Sequence, residues 1–169
     1  MTTQTTAVAS SFISPAELLN EWMGHRRLTR NVIAAFPEDK LFDYSIGGMR
    51  PFASMMKEII DISAPGIKGI VTDNWENTGG FSEHSFTGEQ RTKEYLLERF
   101  DQETEAIIEY FPQITNERFQ ETVLAFGMYE GQVFSTVLYF IDNEIHHRAQ
   151  GYVYLRSLGI EPPPFWNRN

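Results

Sequence analysis

The sequence predicts an all-α fold, a four-helix bundle with one long crossover, and three observations carry that prediction. Apolar residues recur at steps of three and four in four separate segments. Proline or glycine stands at the ends of those segments. Between the second and third lies a stretch, residues 64–90, rich in Gly, Asn, Asp and Ser and far longer than an ordinary turn.

The first helix begins at Ser14-Pro15-Ala16-Glu17, which supplies an N-cap hydroxyl, a proline at the first helical position and a glutamate placed for a capping box. Leu18, Trp22, His25, Thr29, Val32 and Phe36 then share one stripe, and Pro37 closes it. A second helix runs from about Arg50-Pro51 to Ser63, with Phe52, Met55 or Met56, Ile59 and Ile62 inward. Ala64-Pro65-Gly66 is expected to end it. The third spans Thr92 to about Phe111, before Pro112, on the apolar face Leu96, Leu97, Phe100, Thr104, Ile107, Ile108 and Phe111. Residues 118–129 contain Thr122-Val123-Leu124 and a glycine, the pattern of a short extended segment. The last helix runs from about Gly131 to Leu158 on Val133, Val137, Phe140, Ile141, Val153, Tyr154 and Leu158, with Gly159 as a left-handed cap.

Composition narrows the function classes. The chain has 169 residues, enough for one core that buries roughly 70% of the unfolded surface. A flexible Thr/Ser-rich N-terminus over 1–13 and a single domain over 14–169 are expected. There is no cysteine, so no thiolate nucleophile, disulfide or Cys-ligated metal. Fourteen Lys and Arg against 23 Asp and Glu give a net charge of −9, which opposes binding to a phosphate backbone. Arg26, Arg27 and Arg30 are the densest basic group and are expected to form a solvated helix face. No run approaches the ~18 apolar residues that span a bilayer, and no secretory signal is visible. A cytoplasmic protein that binds neither nucleic acid nor membrane is the expectation.

The most informative string is Asn143-Glu144-Ile145-His146-His147-Arg148-Ala149-Gln150-Gly151-Tyr152, in the last helix. Adjacent histidines sit about 100° apart on a helix, so only one turns into the core. His147 is the inward candidate, on a stripe with Asn143, Glu144, Phe140 and Tyr154. His146 is expected at the surface, His25 as a satisfied core histidine, and His84 in solvent. Arg148 and Gln150 are expected to tie the helix to its neighbours. The acidic residues select no catalytic pair, since Glu94 with Glu98 and Glu103 with Glu105 have the spacing of an ordinary solvated face. The aromatic residues, Trp75, Tyr152, Tyr154, Phe165 and Trp166 among them, are expected to fill the core and a dimer seam.

This string, followed by Val153-Tyr154-Leu155-Arg156-Ser157-Leu158-Gly159-Ile160-Glu161-Pro162-Pro163, resembles the last helix of the DinB/YfiT-like metalloprotein family. The likeness extends from Trp22 through Arg50-x-Phe52-Ala53 to the C-terminus and is greatest to a subgroup with IDNEIHHR, then Ala or Gly, then QGY. It implies an antiparallel four-helix bundle, commonly a homodimer, whose core holds a divalent metal on three histidines. The resemblance puts Glu58 where the first histidine is expected and the last-helix pair on Asn143 and His147, so one imidazole of three remains.

Two expectations follow. In the first, Glu58, His147 and either Asn143 or Glu144 hold a divalent zinc, nickel, iron or manganese ion. That ion would activate a low-molecular-weight thiol for transfer to a small-molecule substrate. In the second, the metal site is lost, Glu58 pairs with His147 or a nearby arginine as a buried polar contact that specifies packing, and the chain is a non-catalytic homodimeric binding or stress protein.

Overall fold

In the computed structural model, residues 12–75 and 84–169 are described. The expected flexible N-terminus lies outside them except for Phe12 and Ile13, as do residues 76–83 of the crossover. Helix α1 spans Pro15–Ala35 and opens with the expected reciprocal cap. Ser14 Oγ accepts from the Glu17 amide at 3.2 Å, and the Glu17 carboxylate accepts from the Ser14 amide at 2.7 Å. A single turn, α2 (Glu38–Leu41), sits in the following loop, where none was expected, and seals Leu41 against the core.

Helix α3 covers Phe52–Thr72 and does not stop at Ala64-Pro65-Gly66 as the sequence suggested. Pro65 removes one amide donor and crowds the preceding turn, at a cost of about 3 kcal/mol. Burial of Ile67 and Ile70 beyond it, worth about 1.5–3 kcal/mol each, offsets that cost. The helix ends instead at Asp73, in the left-handed region at φ 55°. The crossover therefore begins nine residues later than the sequence indicated.

Helix α4 (Lys93–Tyr110) starts where Thr92 Oγ1 accepts the Tyr95 amide at 3.1 Å. After one short helix, α5 (Asn116–Gln120), the expected extended segment is strand β1 (Thr122–Ala125). It pairs antiparallel with β2 (Tyr129–Gln132), Thr122 opposite Gln132 and Ala125 opposite Tyr129. Helix α6 (Val133–Ser157) follows, and Gly159 takes the expected positive φ of 75°. Val153, assigned to the apolar row, is instead 52% exposed.

The all-α four-helix bundle consists of α1, α3, α4 and α6. Two apolar clusters fix its directions. One joins Trp22 at the start of α1 to Ile67 late in α3, Phe111 just past α4 and Val137 early in α6. The other joins Phe36, past the end of α1, to Phe52 at the start of α3, Leu96 early in α4 and Tyr154 late in α6. So α1 and α6 run one way, α3 and α4 the other. Because α3 and α4 are parallel, the chain must travel the length of the bundle between them, which is why the crossover is long.

Between the two clusters lies a buried polar layer. Glu144 accepts from Trp22 Nε1 (3.1 Å) and Thr29 Oγ1 (2.6 Å) and lies 3.5 Å from Arg26 Nη1. Arg26, expected in solvent, is 1% exposed, lies over the Phe100 ring and donates to the Phe100 carbonyl and to Thr104. Its charge is tolerated inside because each of its three nitrogens meets an acceptor and its plane meets the Phe100 ring. Arg27 and Arg30 behave as expected of a surface, Arg30 pairing with Asp101. No helix of the described residues is long and apolar enough to cross a membrane.

Candidate ligand site

The middle of α3 turns Glu58 toward α6, where Asn143 and His147 stand one turn apart on the same face. The three side chains that the sequence singled out meet. Glu58 Oε1 accepts from Asn143 Nδ2 at 3.0 Å and lies 3.1 Å from His147 Nε2. On its other side His147 Nδ1 lies 2.8 Å from Gln150 Oε1, and Gln150 Nε2 donates to Met49 Sδ at 3.4 Å. Gln150 thus orients the imidazole, as expected of a residue tying α6 to its surroundings.

The fourth member of the cluster is Arg50, where the sequence anticipated a nearby arginine for Glu58 without identifying which. Arg50 pairs through Nη2 with Glu58 Oε2, and its own carbonyl accepts from the Tyr154 hydroxyl at 2.8 Å. Arg50 precedes α3 and is eight residues from Glu58, so no helical spacing links them in the sequence. The His147 contact, with the Asn143 and Arg50 hydrogen bonds, holds the Glu58 carboxyl well below the usual carboxylate range, against the opposing effect of burial.

The cluster closes one side of a cleft of about 520 Å³ between α3, the β-hairpin and the first half of α6. Arg50 and Glu58 supply its polar wall, Ile62, Phe126 and Phe140 an apolar wall, and Tyr129 and Tyr139 stand at the hairpin and helix rims. The Arg50 side chain is 47% exposed, and its one side-chain hydrogen bond among the described residues uses Nη2. Among the described residues its Nε and Nη1 donors meet no acceptor, which leaves them to donate to a ligand.

The remaining candidates lie elsewhere. Glu144 belongs to the buried layer with Trp22, Arg26 and Thr29, so it does not join Glu58 as an alternative third ligand. One helical step of about 100° from Asn143 sends it to a different neighbour. His25 Nδ1 meets Arg148 Nη2 at 2.9 Å, and burial followed by Arg148 lowers the imidazole's affinity for a proton. His146 is exposed and packs edge-on against the His147 ring. His84 is not solvated: its side chain is 8% exposed, it lies 2.9 Å from Asp61 and it lines the cleft.

The donor set does not fit the three-histidine centre that the resemblance implies. One imidazole is present, and both its ring nitrogens already meet side-chain oxygens. The single carboxylate has its charge matched by Arg50, whose guanidinium would repel an added cation. Among the described residues no group of three or more His, Cys, Asp or Glu converges as a metal-holding set.

Comparison with known proteins gives a consistent result. A family model described as DinB family matches residues 1–168. A crystal structure of a DinB-like protein from Bacillus cereus superposes with a TM-score of 0.69 at 14% identity, covering 88% of this chain and 95% of that one. A DinB-like protein from Bacillus subtilis gives a TM-score of 0.69 at 17% identity, covering 90% and 99%. No curated protein matches the chain.

Proposed function

This chain belongs to the DinB family, and from that premise we propose that it binds a small molecule in the cleft beside Glu58 without the family's metal. The ligand class follows from the walls. An aromatic or branched apolar body fits against Ile62, Phe126 and Phe140, and an anionic or carbonyl head pairs with Arg50. The observation that carries this reading is the half-exposed Arg50 guanidinium at the cleft wall, held by Glu58 while Tyr154 holds the Arg50 backbone carbonyl, with Nε and Nη1 making no hydrogen bond among the described residues.

In this reading Glu58, Asn143 and His147 position Arg50. Arg50 supplies, as a fixed cation, the positive charge that a metal ion supplies in a three-histidine site. The thiol transfer implied by the resemblance depends on such an ion and stands or falls with it.

The test uses 8-anilinonaphthalene-1-sulfonate, an aromatic anion, as the probe in fluorescence titration of the full chain. Saturable one-to-one binding is expected, weakened about tenfold by Arg50→Ala, the effect of losing roughly 1.4 kcal/mol. It should also be blocked by Ser135→Trp, which fills the cleft from α6. Binding indifferent to both substitutions would overturn the reading.

A further inference from the structure

Outside the Glu58 cluster, a second polar group reaches the same cleft. Asp61 lies one turn further along α3 and receives two neighbours on its two oxygens. Lys57 Nζ donates to Oδ1 at 2.5 Å, and His84 Nδ1 lies 2.9 Å from Oδ2. A carboxylate paired with a lysine only accepts, so the proton of that second contact sits on His84 Nδ1. In the neutral ring Nε2 then carries a lone pair. Among the described residues His84 makes no other hydrogen bond, and it lines the cleft. Lys57 also lies over the ring of Phe86, two residues after His84, at 5.8 Å from its centre.

A carboxylate that fixes the tautomer of an imidazole lining a cavity is the arrangement by which a histidine accepts a proton from a bound O–H group. We propose that His84 is a general base for chemistry in this cleft, with Asp61 and Lys57 as the residues that position it. The inference rests on the cleft being a ligand site, as set out above. The step moves one proton. The O–H bond of a water molecule breaks as its oxygen forms a bond to an acyl carbon of the ligand, and the proton passes to His84 Nε2. When the carbonyl re-forms, the bond from the acyl carbon to the leaving oxygen breaks, and the imidazolium returns its proton to that oxygen or to solvent.

The probe is p-nitrophenyl acetate, a small aryl ester, with the full chain and with variants. His84→Ala is expected to lower the turnover rate at least tenfold, and Asp61→Asn several-fold. His146→Ala, which removes an exposed imidazole, should leave the rate unchanged. Nitrogen-15 spectra of histidine-labelled protein give a readout that a merely structural Asp61 would not move. His84 should show the tautomer protonated at Nδ1 in the natural chain and a mixture in Asp61→Asn. Equal turnover by the natural chain and His84→Ala, with anilinonaphthalene sulfonate still bound in the cleft, would overturn the general base and leave the ligand site standing. Loss of probe binding by the natural chain itself would remove both. A natural chain whose His84 carries its proton on Nε2 would overturn the positioning role.

Discussion

At the scale of single residues, the chain separates two polar groups that adjoin in sequence. Asn143 and His147 face α3, whereas Glu144 and Arg148 face α1, where Arg148 donates to Thr29 and the His25 carbonyl. Glu144 is fully buried, so removing it strands the Arg26 charge. Glu144→Ala should cost about 3–5 kcal/mol in urea unfolding. The double variant Glu144→Ala/Arg26→Met should be less destabilised than Glu144→Ala alone, because it removes the stranded charge as well. Acid should also weaken the fold, in two stages. The His25 imidazole binds its proton less readily when folded, so the unfolded chain takes up a proton first as pH falls below 6.5, and stability declines. The Glu58 carboxyl is depressed in the fold, so its contribution is present above pH 4.5 and is lost as pH falls further. Urea midpoints should drop steadily below pH 6.5, and His25→Gln should flatten the upper part of that fall. Asn143 and His147 were legible as one face because i to i+4 spacing fixes it, whereas Glu58 opposite them came from the family resemblance alone. Which arginine pairs with Glu58, and the Asp61–His84 contact, were not legible, because contacts across a loop or a crossover leave no periodic trace.

At the scale of elements, helix starts were legible and one helix end was not. Ser14 and Thr92 cap their helices by local hydrogen bonds that depend only on neighbouring residues. Whether a helix continues past Pro65 depends on what the next turns bury, which is a tertiary quantity. Gly66 shows how tight that packing is: an added Cβ would lie 2.3 Å from Phe140 Cζ. Gly66→Ala should therefore destabilise the protein by about 1–3 kcal/mol despite the better helix propensity of alanine. Pro65→Ala should do the opposite, raising stability by about 1–2 kcal/mol, since it restores a helical amide at the cost of a more flexible unfolded chain. Thermal unfolding of the two variants compares them directly, and a stabilised Gly66→Ala would show that Phe140 can give way. The β-hairpin was half legible: Thr122-Val123-Leu124 marked its first strand, but Tyr129–Gln132 has no apolar alternation to mark the second.

At the scale of the whole molecule, four apolar stripes and a long connection sufficed for the bundle, and the parallel run of α3 and α4 explains why the connection is long. The site's chemistry was less legible. The resemblance pointed to a metal on Glu58, Asn143 and His147, and the bundle does bring them together, but Arg50 enters from outside the helical pattern and matches the carboxylate's charge. In the proposed function, a fixed guanidinium serves this cleft in place of a divalent ion. Calorimetric titration of the full chain with zinc, nickel and manganese chlorides tests it most directly. No saturable binding dependent on Glu58 or His147 is expected. One-to-one binding of any of these ions that is abolished by Glu58→Ala and by His147→Ala would contradict the claim.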